Sequence, residues 1–191
     1  MIKNIIFDLG GVLFDEGLDV VSKVLNEDAK DIYNKTYNKI FRECILGHME
    51  VSDYIKMLDK KDPDYEKMKF ILQKENQPLF LPIIQENYDY ISKLKDKYNL
   101  YILSNLTKES YEYVQSVVNL DDVFIGGVYS FKVGYRKPDK EIYEIILNKY
   151  HLNKEETIFF DDKERNVKRA RELGIKAIVF KSIKDIEDNI N

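Results

Sequence analysis

The sequence contains a single cysteine, Cys44, among its 191 residues, and it contains no tryptophan. One thiol cannot form a disulfide within the chain or supply a zinc site built from several thiolates. We therefore interpret Cys44 as a small packed side chain rather than a catalytic thiol. No apolar stretch approaches the roughly 20 residues that a membrane-spanning helix needs. These absences argue against a disulfide-stabilised scaffold, a cysteine-based metal site and a transmembrane protein.

Basic residues also fail to form a long run. The chain has 30 Lys and Arg against 34 Asp and Glu, which gives a formal net charge of -4, so we expect no nucleic-acid partner. The segment 2–7 is too short for a signal peptide and leads directly into an acidic residue. We expect a cytoplasmic protein without a membrane partner, and we favour a monomer.

Short β-branched or aromatic segments recur along the chain, and most end at a polar or glycine-rich turn. The predicted strands are 5–7, 100–103, 157–160 and 176–180, with a shorter candidate at 127–130. Patterns between the strands predict helices over 83–97, 108–118, 139–150 and 164–173. Alternating strands and helices indicate an α/β fold whose parallel sheet is covered on both faces.

The stretch 15–81 interrupts this alternation. It is polar, rich in tyrosine and helical in pattern, for example over 28–46 and 52–58, and it contains no convincing strand. The simplest interpretation is a helical insertion after the first strand. We therefore predict a core made of 1–14 and 82–191, with residues 15–81 as an inserted helical subdomain.

Polar residues follow three of the predicted strands at the point where each strand ends, namely Asp8, the pair Ser104 and Asn105, and the pair Asp161 and Asp162. In an open α/β sheet these ends face one crevice. Paired carboxylates can hold Mg²⁺, and without a cation they would repel one another. A lysine in the turn 134–139 can enter the same crevice. This combination fits a phosphate held between a metal and an amine, where charge stabilisation drives phosphoryl transfer.

Four segments carry a resemblance to a known family. In chain order they are Ile5–Asp15, Leu103–Asn105, Lys137–Asp139 and Phe159–Asp162. They resemble the four motifs of the haloacid-dehalogenase superfamily and occur in the order typical of that family. Each motif is weak alone, but four in order are a strong signal. The resemblance implies a Rossmann-like core with a helical cap inserted after the first strand, in agreement with the interpretation of 15–81.

The resemblance also assigns roles to individual residues. It implies that Asp8 is the nucleophile and that Lys137 steadies both the nucleophile and the phosphate. Phosphate would be bound by Ser104 and the backbone N–H of Asn105. The activity implied is that of a phosphatase acting on a small phosphorylated metabolite.

The same resemblance implies a magnesium site. Its ligands would be Asp8, the backbone carbonyl of Gly10 and Asp162, with Asp161 beside them. Mg²⁺ is the expected cofactor because hard oxygen ligands of this kind are those it prefers.

One position departs from the family pattern. Most phosphatases of the family have a second aspartate two residues after the nucleophile, where this chain has Gly10. That aspartate transfers the leaving-group proton, and such a group typically accelerates a reaction 10²–10⁴-fold. We offer Asp15 as a hypothesis for the substitute.

Three interpretations remain open. The chain resembles a bacterial subgroup with an Asp-Leu-Gly first motif that hydrolyses sugar phosphates such as glucose 1-phosphate, whose leaving group relaxes the need for an acid. It could instead be a catalytically weak relative that binds a phosphorylated metabolite. The third interpretation is a metal-independent 2-haloacid dehalogenase, against which the pair Asp161 and Asp162 argues.

Overall fold

The central sheet of the protein, seen in a computed structural model that describes residues 1–190, has five parallel strands in the order β3-β2-β1-β4-β5. The strands are β1 Asn4–Phe7, β2 Asn99–Ser104, β3 Gly126–Tyr129, β4 Thr157–Asp161 and β5 Lys176–Val179. The predicted parallel α/β fold is confirmed, and the Rossmann-like order places β1 at the centre of the sheet.

Side chains of β1 alternate between two apolar clusters. Ile5 and Phe7 pack into the cluster on one face, and Ile6 packs into the cluster on the other. All three are almost fully buried, and burying one such side chain contributes about 1.5–3 kcal/mol. A strand that is apolar on both faces belongs in the middle of a parallel sheet covered by helices.

The helices divide between an insertion after β1 and the two faces of the sheet. They are α1 Leu18–Leu25, α2 Lys30–Thr36, α3 Phe41–Ile45, α4 Val51–Met57, α5 Tyr65–Leu72, α6 Gln77–Phe80, α7 Gln85–Lys93, α8 Lys108–Val117, α9 Ser130–Val133, α10 Lys140–Lys149, α11 Glu164–Glu172 and α12 Ile183–Ile190. The first face carries α7, α8 and α12, and the second carries α10 and α11. Within residues 1–190 no helix combines the length and apolar character needed to cross a membrane.

Helices α1 to α6 form two apolar clusters of their own, centred on residues such as Ile71 and Tyr54. Cys44 is buried in the second of them. The two chain segments that lead into and out of these helices are bonded to each other, because Asp15 N donates to Pro82 O and Ile84 N donates to Leu13 O. These features support the division into a core (1–14 and 82–191) and a cap (15–81), which we keep as a proposal.

Two helices differ from their predicted bounds for local reasons. The pattern over 28–46 is broken because the Asn38 amide accepts from Ile40 N and Phe41 N and donates to Lys35 O, which separates α2 from α3. Helix α7 begins at Gln85 and not at residue 83, because residues 82–84 pair with the segment after β1.

Candidate active site

Three aspartates meet at the carboxyl edge of the sheet. Asp8 follows β1 directly and Asp161 ends β4, and these strands are neighbours with Phe7 paired to Phe160. One carboxylate oxygen from each of Asp8, Asp161 and Asp162 lies within 4.8 Å of the other two. The structure thus brings together the carboxylates that the sequence assigned to one crevice.

Lys137 reaches this cluster from the turn before α10. Its Nζ lies 2.8 Å from Asp8 Oδ2 and 2.6 Å from Asp161 Oδ2, and its side chain is only 1% exposed. The other Asp8 oxygen accepts a hydrogen bond from Leu9 N at 2.7 Å. Because the buried ammonium group of Lys137 contacts both buried carboxylates, it fixes the orientation of the Asp8 carboxylate.

Ser104 ends β2 beside β1, Asn105 follows it, and both line the same cavity as Asp8. The Asn105 side chain also holds the turn that carries Lys137. Its Oδ1 accepts from Lys137 N at 2.8 Å, and its Nδ2 donates to Lys137 O at 3.0 Å. The sequence indicated only the backbone N–H of Asn105 as a functional group, and the side chain adds a positioning role.

The pKa values of the two facing aspartates move in opposite directions. Burial raises the pKa of Asp8 to about 7, with Asp161 and Glu16 adding to the effect and Lys137 opposing it. Burial also acts to raise the pKa of Asp161, but Lys137, the backbone N–H of Lys163 and the Asn166 amide together hold it below its usual value. Asp161 is therefore the more readily ionised carboxyl group of the pair.

The position beside Gly10 is filled by another carboxylate. A Cβ added at Gly10 would overlap the carboxylate of Glu16. Lys163 holds this carboxylate, because its Nζ lies 2.9 Å from Glu16 Oε1 and 3.2 Å from Asp162 Oδ2. Asp15 is exposed and does not line the cavity, whereas Glu16 does. The sequence analysis missed Glu16 and Lys163.

The charges at this edge do not balance among themselves. The edge carries four carboxyl groups, those of Asp8, Glu16, Asp161 and Asp162. They share two ammonium groups, those of Lys137 and Lys163. When all are ionised, two negative charges are left unmatched. A bound divalent cation removes that imbalance and the repulsion between the carboxylates.

A buried amide oxygen adds a second observation. Asn166 donates through Nδ2 to both oxygens of Asp161, at 2.9 Å and 3.0 Å. Its Oδ1 is buried without a hydrogen-bond partner in the part of the chain that the structure describes. A buried acceptor left unpaired is unfavourable, so a hydrated cation, whose waters donate hydrogen bonds, fits beside it.

A cavity of about 580 Å³ lies beside Asp8 and is lined by residues of the sheet edge and of the helices within 15–81. Asp8, Gly10 and Lys137 line it from the core, and Tyr33 and Tyr37 of the α2 region line it from the insertion. Its volume is that of a small-molecule site.

This sheet and its acidic edge define an α/β enzyme of the haloacid-dehalogenase type. A family model described as haloacid dehalogenase-like hydrolase matches residues 5–180, and the chain belongs to that family. The resemblance drawn from the four motifs is confirmed.

Several named relatives are phosphatases. The chain is 28% identical to the D-ribitol-5-phosphate phosphatase of Bacteroides thetaiotaomicron, over 92% of this chain and 90% of that protein. It is 26% identical to a phosphorylated carbohydrates phosphatase of Thermotoga maritima, over 92% and 83%. Its fold superposes with a TM-score of 0.76 on a haloacid-dehalogenase family enzyme from Bacteroides thetaiotaomicron in complex with magnesium and inorganic phosphate, at 26% identity over the full length of both chains.

Proposed function

We propose that the protein is a Mg²⁺-dependent phosphatase that hydrolyses a small phosphorylated metabolite, of the sugar phosphate class, through an aspartyl-phosphate. The observation that carries the proposal is the contact of one buried lysine with both Asp8 and Asp161, beside Asp162. The phosphatases of phosphorylated carbohydrates among the relatives support it. An acidic pair at this edge has no use in a metal-free dehalogenase, which is why we do not favour that activity.

Magnesium would be held by Asp8, Asp161 and Asp162, together with the carbonyl of Gly10. The residues fit the ion because two negative charges and the Asn166 Oδ1 acceptor are unmatched without it. When bound, Mg²⁺ supplies positive charge that stabilises the phosphoryl oxygens.

Asp8 and Lys137 perform the first step. An Asp8 oxygen forms a bond to phosphorus while the bond from phosphorus to the ester oxygen breaks, and the phosphoryl group is now on Asp8. Lys137 offsets the negative charge of the transferring group from a fixed position. Water then forms a bond to phosphorus, the bond from phosphorus to Asp8 breaks, and Asp8 is released as a carboxylate with free phosphate.

Glu16 transfers the protons in this proposal. Glu16 gives a proton to the departing ester oxygen in the first step and takes a proton from the attacking water in the second, so that one turnover restores its starting form. Its carboxylate lies where a side chain at position 10 would reach, and Lys163 holds it there. We place this role on Glu16 instead of Asp15, which is exposed and outside the cavity lining.

The test is phosphate release from a panel of sugar phosphates, with and without Mg²⁺. We expect metal-dependent turnover that falls at least about 10³-fold in Asp8→Asn, because the nucleophile is lost. Asp15→Asn is the matched control and should retain activity. Halide release from 2-haloacids in the presence of EDTA would instead assign the dehalogenase activity.

A folded protein without turnover on any phosphate ester would contradict the proposal. If that protein were still stabilised by phosphorylated ligands, it would be a binding protein and not an enzyme.

A further inference from the structure

Arginine is scarce in this chain and concentrated at one place. Five of the 30 basic residues are arginine, and three of them line the cavity above Asp8: Arg42 of α3, Arg136 of the turn before α10 and Arg165 of α11. These three come from elements far apart in sequence. Lysine serves nearly everywhere else, so the choice of arginine at the cavity calls for a chemical reason.

Within residues 1–190 the three cavity arginines have no counter-ion. Arg136 is half-buried, and Arg42 and Arg165 are exposed to solvent. Over residues 1–190, none of their guanidinium groups lies within 4.0 Å of a carboxylate oxygen. The remaining two arginines differ, since Arg169 pairs with Glu172 at 2.8 Å and Arg171 with Glu164 at 3.7 Å. The arginines outside the cavity are neutralised, and those inside it are not.

The cavity arginines also act on one another. Burial lowers the pKa of Arg136, and repulsion from Arg42 and Arg165 lowers it further, against a small opposing effect of Asp139. The acidic groups lining the cavity do not relieve this repulsion. Asp8 and Glu16 contact Lys137 and Lys163, and neither lies within 4.0 Å of a cavity arginine. Glu109 accepts a hydrogen bond from Val51 N at 2.9 Å.

We propose that Arg42, Arg136 and Arg165 form a second anion subsite, and that the substrate is a phosphate monoester carrying another anionic group, a phosphate or a carboxylate, besides the phosphoryl group that is transferred. A guanidinium presents paired N–H donors that match the oxygens of either anion, which an ammonium group does not. The cavity of about 580 Å³ holds a molecule of that size. Since Arg42 belongs to the 15–81 insertion and the other two to the core, such a substrate would join the two parts.

This inference rests on the proposed phosphatase function, and its test compares matched substrates. Fructose 6-phosphate is paired with fructose 1,6-bisphosphate, and glucose 6-phosphate with 6-phosphogluconate, so that each pair adds one anion. We expect kcat/KM to be at least about 10-fold higher for the added-anion member. In Arg42→Ala, Arg136→Ala and Arg165→Ala that preference should fall about 10-fold, because charge-assisted hydrogen bonds to the added anion are lost.

Two further variants distinguish the loss of the paired guanidinium donors from a general loss of charge or of protein stability. Arg42→Lys keeps the charge but loses the paired donors, and it should recover only part of the preference. Lys168→Ala, on the exposed side of α11, should leave the preference unchanged. The bisphosphate and carboxylate pairs distinguish which anion the subsite takes.

Binding to Asp8→Asn, measured by calorimetry with the same pairs, tests the subsite without turnover. Equal affinity for both members of each pair would overturn the inference whether or not the wild type is active. Turnover of single-anion substrates with no preference for the added-anion members would overturn the subsite but agree with the proposed phosphatase function. Tighter binding of the added-anion members without any turnover would support the subsite and contradict the proposed phosphatase function.

Discussion

Glu16→Gln removes the proposed proton-transfer group, together with the negative charge that pairs with Lys163. Glutamine has nearly the same shape, and its amide oxygen can still accept a hydrogen bond from Lys163, now 2.9 Å from Glu16 Oε1. It cannot carry the proton. Loss of a general acid or base costs about 10²–10⁴-fold in rate, so we expect turnover of alkyl phosphates to fall by that factor.

The two half-reactions should respond differently when the leaving group needs no proton. With p-nitrophenyl phosphate, formation of the aspartyl-phosphate should remain fast in Glu16→Gln, whereas its hydrolysis still needs a base to take a proton from water. Stopped-flow absorbance should therefore show a burst of nitrophenolate close to one equivalent, followed by slow steady release. The wild type, in which Glu16 serves the second step, should show a much smaller burst.

A carboxylate returned to position 10 provides the complementary test. A side chain there would overlap Glu16, so Gly10→Asp is combined with Glu16→Ala, which vacates the space. This double variant should recover a large part of the activity that Glu16→Ala alone loses. Asp15→Asn is the control, since Asp15 carries a neighbouring but exposed carboxyl group. Wild-type rates in Glu16→Gln, or a loss confined to Asp15→Asn, would refute the assignment.

The remaining predictions concern the buried ion cluster. The pKa of Asp8 is raised to about 7 from 3.8, so the metal-free protein loses stability as pH rises between those values, by at most about 4 kcal/mol. In EDTA at pH 8, the melting temperature of Asp8→Asn should therefore be higher than that of the wild type. The two melting temperatures should become equal near pH 4. Lys137→Met removes the cation that contacts both Asp8 and Asp161 and should lower metal-free stability by about 3–5 kcal/mol, which urea unfolding would detect. Asn105→Ala removes both hydrogen bonds to the Lys137 backbone and should lower kcat about 10–100-fold, and an unchanged kcat would remove its positioning role.

Local pattern was sufficient to predict the sheet. Strands β1, β2 and β4 are short and mostly apolar and end at or just before polar residues, and burial on both faces leaves few alternatives for such segments. The segments around Asp8, Lys137 and Asp161 could be placed at one edge because parallel strands present their carboxyl ends together. Helix bounds were less accurate in the insertion, where the side chain of Asn38 ends one helix and begins the next.

The position of Glu16, the proposed proton-transfer group, could not be predicted because it depends on a loop and not on a strand. After β1 the backbone folds back on itself, with Gly11 N donating to Phe14 O and a bridge between Gly10 and Phe14. The next residue, Asp15, is bonded to Pro82 through its backbone and remains exposed. Only Glu16, the residue after Asp15, lies over Gly10. A shift of one residue in this loop would exchange the positions of the Asp15 and Glu16 carboxylates. No feature of the Asp-Glu-Gly sequence indicates which of the two lies over Gly10. A glycine at position 10 is compatible with catalysis on this account because the side chain missing from the first motif is supplied six residues later, and the same geometry explains why an aspartate at position 10 would require Glu16 to move.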